Sequence, residues 1–312
     1  LLLSSFLIFI VISLAPGDFL TAARLNPNIS PELLAAQAHN LGLDRPVLVQ
    51  YLLWMKNILL HGDFGLSFAY TQPVWNIMFP RIVNSLWLVL LITVLYYGMA
   101  IPLGVFGAVR QNSLADRTLN VFMYFLLGFP SFFLGLIAVY AILQLRYKYH
   151  WDIPVGGMTS DGFAQMSAGQ KVLDIAKHLI IPALVVSVHS VATLSRVIRG
   201  QMLEVLHSDY IRTARAKGVS ERVAIWKHMF KNGILPFVAN IGGELPGLIA
   251  GAGFIEMVFA YPGITPMLLD ALNSKDLYLI AGFNLVTTVL LIIGNILADI
   301  LLVSVDPRVR LE

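Results

Sequence analysis

No cysteine occurs in the 312 residues, which excludes disulfides, iron–sulfur clusters and thiolate zinc sites. Charge is scarce. Asp, Glu, Lys and Arg make up 12% of the chain, against about 25% in soluble domains. No GxxxxGK[ST] stretch is present, so the chain cannot cradle nucleotide phosphates by the P-loop mechanism. The seven histidines lack ligand spacing such as HExxH, so no metal site is expected. Carboxylates paired at catalytic spacing and a GxSxG elbow are also missing, and so are repeats and low-complexity tracts. These absences argue against an enzyme. The net charge of +3 is modest and its cations sit at the ends of apolar runs, which argues against a nucleic-acid binder.

What the chain has is apolar length. Hydrophobic residues make up 57% of it and the mean hydropathy is +0.76. That places it in a bilayer as an all-α polytopic membrane protein. Residues 1–15 form a first span. At 1.5 Å per residue they cover only about 22 Å of a core about 30 Å thick. The first span is therefore expected to begin upstream, although Ser13-Leu14-Ala15 also fits the cleavage site of a signal peptide. Residues 16–83 are mixed and too polar to span. Ser30-Pro31-Glu32 and Asp44-Arg45-Pro46 open two short helices that end near Gly42 and at His61-Gly62, which predicts an extracytoplasmic helical cap. Residues 84–312 then form a five-span core. Its spans are Ser85 to Val109, Thr118 to Leu145 with a break at Gly128-Phe129-Pro130, Leu179 to Leu194, Phe237 to Phe259, and Leu277 to Val305. The total is six transmembrane helices.

Cations set the orientation. Twelve lie on one side, from Arg110 and Arg117 through the run from Arg196 to Lys231 to Arg308 and Arg310. Five lie in the opposite short loops: Arg146, Lys148, Lys171, Lys177 and Lys275. The positive-inside rule makes the first side, and with it the C-terminus, cytoplasmic. The Tyr147 to Trp151 aromatic cluster then faces outward, where an interfacial anchor explains it better than a ligand platform.

The longest polar stretch of the core is the cytoplasmic loop 199–233. Ser208 or Asp209 can cap a short helix from Tyr210 to Lys217, and Gly218 suits the left-handed position that ends it. Ser220 can cap a second helix from Glu221 to Asn232, and Gly233 and Pro236 break the chain into the next span. An amphipathic loop lying on anionic headgroups accounts for the cations. It does not account for two capped helices meeting at a glycine corner, with the small residues Ala214 and Ala216 beside it.

DYIRTARAKG followed by KHMFKNGILP resembles the cytoplasmic "EAA" loop of ABC-importer permeases, in the form found in the peptide and nickel uptake family. LAPGD, LGLDRPVLVQY, GDFGLSF, IPLGV, IEMVFAYPG and the terminal DPRVRL extend the resemblance along nearly the whole chain. The chain is most similar to the permease B subunits of dipeptide and oligopeptide systems. The resemblance implies a permease subunit of a prokaryotic inner-membrane importer that moves peptides into the cytoplasm. Its implied partners are a second permease, a distinct homologue, with two ATPase subunits and an extracytoplasmic substrate-binding protein. ATP and Mg would be bound by the ATPases and no cofactor by this chain. It further implies that Tyr210 to Gly218, through Tyr210, Arg212, Thr213, Ala214, Arg215, Ala216, Lys217 and Gly218, form a coupling helix seated in an ATPase groove. Asp209, Arg215 and Lys217 would make polar contacts around it. Arg212 stands where the general motif has Glu, a departure that matches the peptide branch.

The translocation path is expected at the fifth span. Gly243, Pro246 and Gly247 permit close packing and bending there, and Glu244 is a deep intramembrane charge. Plain helix packing explains the small residues equally well. Glu256 and Asp299 lie near span ends, where solvent or interfacial pairing is the simpler account. Glu244 also supports a rival reading, an ion-coupled secondary transporter, although paired broken helices in two halves are not evident. The resemblance also leaves open an ABC permease for nickel complexes or oligosaccharides, which related permeases serve. A second rival, a non-transporting membrane anchor or receptor, would not require six spans with an interrupted interior.

Overall fold

The computed structural model describes residues 2–17, 19–24, 30–40, 42–233 and 252–305. The chain divides into two compact units: Leu1–Asn84 with Gly263–Ile292, and Ser85–Pro262 with Ile293–Glu312. Helices dominate both, as the composition predicts. Among the described residues, four helices are long and apolar enough to cross a membrane.

The first unit opens with α1 (Leu2–Leu14), followed by the short α2 (Thr21–Arg24), α3 (Pro31–Asn40) and α4 (Val47–His61). Ser30 caps α3 by accepting the Leu33 N–H, and Gly62 ends α4 in the left-handed region at φ 66°. Both ends were legible in the sequence. Tyr51, Trp54 and Met55 share the buried face of α4 and pack with Phe9 of α1. The Trp54 indole donates to the Phe64 carbonyl at 2.9 Å, satisfying the one polar atom of its ring. A two-stranded antiparallel pair, β1 (Leu66–Ser67) and β2 (Gln72–Pro73), leads directly into α5 (Val74–Val109). The helix thus starts earlier than the span predicted from Ser85, and it carries Pro80 and Pro102 within it.

The polar centre of this unit is Asp276, which is fully buried. Its carboxylate accepts from the Ser67 hydroxyl at 2.5 Å, the Ala69 N–H at 3.0 Å and the Leu279 N–H at 3.2 Å. One side chain therefore caps α14 (Leu277–Val305) and holds the β-hairpin. Its neighbour Lys275 donates to the Pro16 carbonyl, and α13 (Ile264–Ser274) ends at Lys275 in the left-handed region.

In the second unit the predicted break at Gly128-Phe129-Pro130 separates α6 (Leu114–Leu127) from α7 (Ser131–Tyr149). The longest helix, α8 (Ala168–Leu206), opens with a capping box in which Ser167 and Gln170 satisfy each other's backbone N–H groups. It accommodates Pro182 in its interior. The loop before α8 is fastened by Asp174, which accepts from the Ser160 hydroxyl at 2.6 Å and the Ser160 N–H at 2.8 Å. Two apolar clusters fill the unit. One packs Leu88 and Ile92 of α5 with Leu179 and Val186 of α8 and with Ile255 and Phe259. The other joins Val105 of α5, Met123 of α6 and Ile198 and Met202 of α8 with residues of the polar loop.

The described helical residues 252–258, in α12, carry Glu256, expected near a span end with a solvent or interfacial partner. Glu256 is instead 1% exposed and accepts the Ser85 hydroxyl at 2.5 Å. A partner 171 residues away in sequence leaves no local signal. The aromatic cluster behaves as an exposed group: Tyr147 is exposed, and the Tyr149 and Trp151 rings lie 6.0 Å apart.

Candidate functional site

The polar loop folds into α9 (Asp209–Ala216), a sharp corner at Gly218, and a second helical stretch. This second stretch runs through α10 (Glu221–Val223), a π-helical turn (Ala224–Met229) and α11 (Phe230–Gly233). The π turn replaces the single regular helix that the sequence predicts. Such turns are rare and concentrate at functional sites.

Ser208 occupies the N-cap position of α9, but its hydroxyl donates back to the Val205 carbonyl at 2.6 Å and caps nothing. Asp209 in the first turn complements the helix dipole instead. The other end is a complete Schellman motif. The Gly218 N–H bonds the Arg215 carbonyl at 3.0 Å, the Val219 N–H bonds the Ala214 carbonyl at 3.2 Å, and Gly218 has φ 80°. A Cβ on Gly218 would meet nothing within 4 Å. The corner is thus required by backbone conformation, and its outer side is open. Arg215 bridges the corner with a two-pronged pair to Glu221, at 2.6 and 3.1 Å. Both side chains are well exposed, so the pair contributes at most about 1 kcal/mol.

One residue anchors α9. Ile211 is fully buried against Met202 and Met229, a burial worth about 1.5–3 kcal/mol. Asp209, Tyr210, Arg212, Thr213, Arg215, Ala216, Lys217 and Gly218 are exposed, and Ala214 is half-buried. The Asp209–Arg212 contact at 3.6 Å is open to solvent. The predicted coupling residues therefore form one continuous outward face on a helix held from beneath. Gly243, Glu244, Pro246 and Gly247 lie outside the described residues.

Beside this loop stands a pair that sequence reasoning passed over. Asp116, in the first turn of α6, is buried, and its two oxygens accept Arg199 Nε at 2.8 Å and Nη2 at 2.7 Å. The Asn112 N–H and the Asn120 amide complete its shell at 3.0 and 2.8 Å. The Arg199 guanidinium, helped by these donors, holds the Asp116 carboxyl below the usual carboxylate range. Ser113, three residues earlier, accepts the Asp116 N–H. The Ser-x-x-Asp spacing was a readable helix-start signal; the partner on α8 was not.

No nucleophile–base pair or metal cluster is formed among the described residues around α9. The arrangement offers an exposed polar helix anchored on an apolar body through Ile211. Two family models match the chain. Residues 100–311 match the binding-protein-dependent transport system inner membrane component, and residues 1–89 match the N-terminal part of such membrane components. The chain is 35% identical to the oligopeptide transport system permease protein AppB of Bacillus subtilis, covering 97% of this chain and 92% of the relative. It is 33% identical to the dipeptide transport system permease protein DppB of Escherichia coli K12, covering 97% and 93%. It is also 31% identical to the oligopeptide transport system permease protein OppB of Mycobacterium bovis, covering 100% and 95%. The chain belongs to the binding-protein-dependent transport system inner membrane component family.

Proposed function

We propose that this chain is the transmembrane permease subunit of an ATP-binding-cassette importer that carries di- or oligopeptides into the cytoplasm. The peptide assignment follows the names of the dipeptide and oligopeptide relatives. Helix α9 is the coupling helix and lies on the cytoplasmic side, as does the C-terminus. Two ATPase subunits each receive one coupling helix, from this chain and from a distinct second permease. An extracytoplasmic binding protein delivers the peptide. ATP acts only through differential contact with the outward- and inward-facing states, so force must pass through a joint that does not yield.

The observation that carries this reading is the construction of α9. A buried Ile211 and a Schellman corner hold it from within, while its polar face is left open. A loop that merely rested on lipid headgroups would need its cations but not this corner.

The test is Gly218→Trp in the assembled importer in proteoliposomes. The Cβ has room, so the strain comes from φ 80° and costs about 1–2 kcal/mol, too little to prevent assembly. ATP hydrolysis should continue while peptide uptake falls. Normal uptake by this variant would place the joint elsewhere.

A further inference from the structure

We infer that the Asp116–Arg199 pair, its carboxylate buried and its guanidinium partly exposed, is a positioning element of the transport cycle: it fastens the α5–α6 corner to the end of α8, so that the corner travels with α9. The inference rests on the proposed role of α9.

Four donors saturate the Asp116 carboxylate, so it has no lone pair to offer a ligand. Its work is therefore mechanical. A buried ion pair is seldom more stabilising than a well-packed apolar contact, and its best-attested use is to specify one register. The surroundings fit that use. Gly107 of α5 leaves room for the pair, since a Cβ there would stand 3.0 Å from Arg199 Cδ and 3.2 Å from Asp116 Oδ1. One turn earlier, a Cβ on Gly104 would stand 2.7 Å from the Ser195 carbonyl of α8. A second α6–α8 link places Arg196 over the Tyr124 ring at 5.0 Å. Three helices thus meet at one directional, two-pronged bond.

The path from there to α9 is short. Helix α8 ends at Leu206 and α9 begins at Asp209. Ile211 of α9 is buried in the same cluster as Met202 of α8, Val105 of α5 and Met123 of α6. Apolar contacts alone allow these helices to slide. The Asp116–Arg199 fork does not, because displacing it by about a helical residue would strand a buried carboxylate.

The chain has no cysteine, so spin labels can be placed at Leu114→Cys and Ser220→Cys, both exposed positions. The experiment measures their separation in the assembled importer, nucleotide-free and trapped with nucleotide. It also measures peptide moved per ATP hydrolysed. In the otherwise unaltered chain the separation should be the same in both states. In Asp116→Asn it should differ between them, and peptide moved per ATP should fall roughly tenfold, within the usual range of coupling effects. Arg199→Lys keeps the charge but loses the fork, and should fall between the two. If Asp116→Asn fails to assemble, Arg199→Lys decides.

A separation that already changes with nucleotide in the unaltered chain overturns the inference. So does a constant separation in both variants, or normal peptide moved per ATP in both. The label distance reports the linked body whatever α9 touches, whereas an error in the role of α9 shows as normal uptake by Gly218→Trp.

Discussion

Two buried aspartates organise the two units in opposite ways. Asp276 is satisfied by neutral donors, a serine hydroxyl and two backbone N–H groups, and it ties a loop and a hairpin to one helix end. Asp116 is satisfied chiefly by a guanidinium from a helix 83 residues away in sequence. The first shapes the chain where it turns. The second fixes the register of long helices against each other. Neutral donors suit a joint that only has to hold; a charged fork suits one that must hold under load, because it has one acceptable geometry.

Removing the fork should be the severest way to break this comparison. Arg199→Ala leaves Asp116 buried and short of two donors, and should destabilise the second unit by about 3–5 kcal/mol. The loss is measurable as a lower denaturation midpoint of the purified complex. Asp276→Ala removes three hydrogen bonds and a helix cap but leaves no buried charge behind. It should cost about 2–3 kcal/mol, read in the same assay together with faster proteolysis around residues 66–73. Equal losses from the two variants would remove the distinction.

Acid is the gentlest probe. The Asp116 carboxyl lies below its ordinary value in the folded state, so the pair's contribution is fully present above about pH 4. It is lost as pH falls through that lowered value. Midpoints of the unaltered protein should therefore drop on acidification more steeply than those of Asp116→Asn, which has no proton to take up there. Parallel profiles would show that the pair does not control this pH range.

Local chemistry was legible in the sequence, and long-range pairing was not. Gly218 announced its left-handed corner, Ser30 its cap, and Gly128-Phe129-Pro130 its break, because each depends on residues within a few positions. Ser208 looked like a cap as well, but its hydroxyl found the Val205 carbonyl of the preceding turn instead. Pro80 falls in the stretch 16–83 read as non-spanning, yet it sits inside α5. A proline is tolerated there when surrounding groups take over the freed carbonyl. Arg199 was readable only as one cation among those that set orientation. Its carboxylate partner lies on another helix, and Glu256 escaped for the same reason.

The corner at residue 218 has a consequence in terms of chirality. Its backbone sits at φ 80°, in the half of conformational space that mirror-image amino acids prefer, and nothing crowds the point where a side chain would begin. D-alanine installed there by chemical ligation would fit without strain, whereas its L-counterpart would not. Glycine serves at this bend as the one genetically encoded residue indifferent to hand.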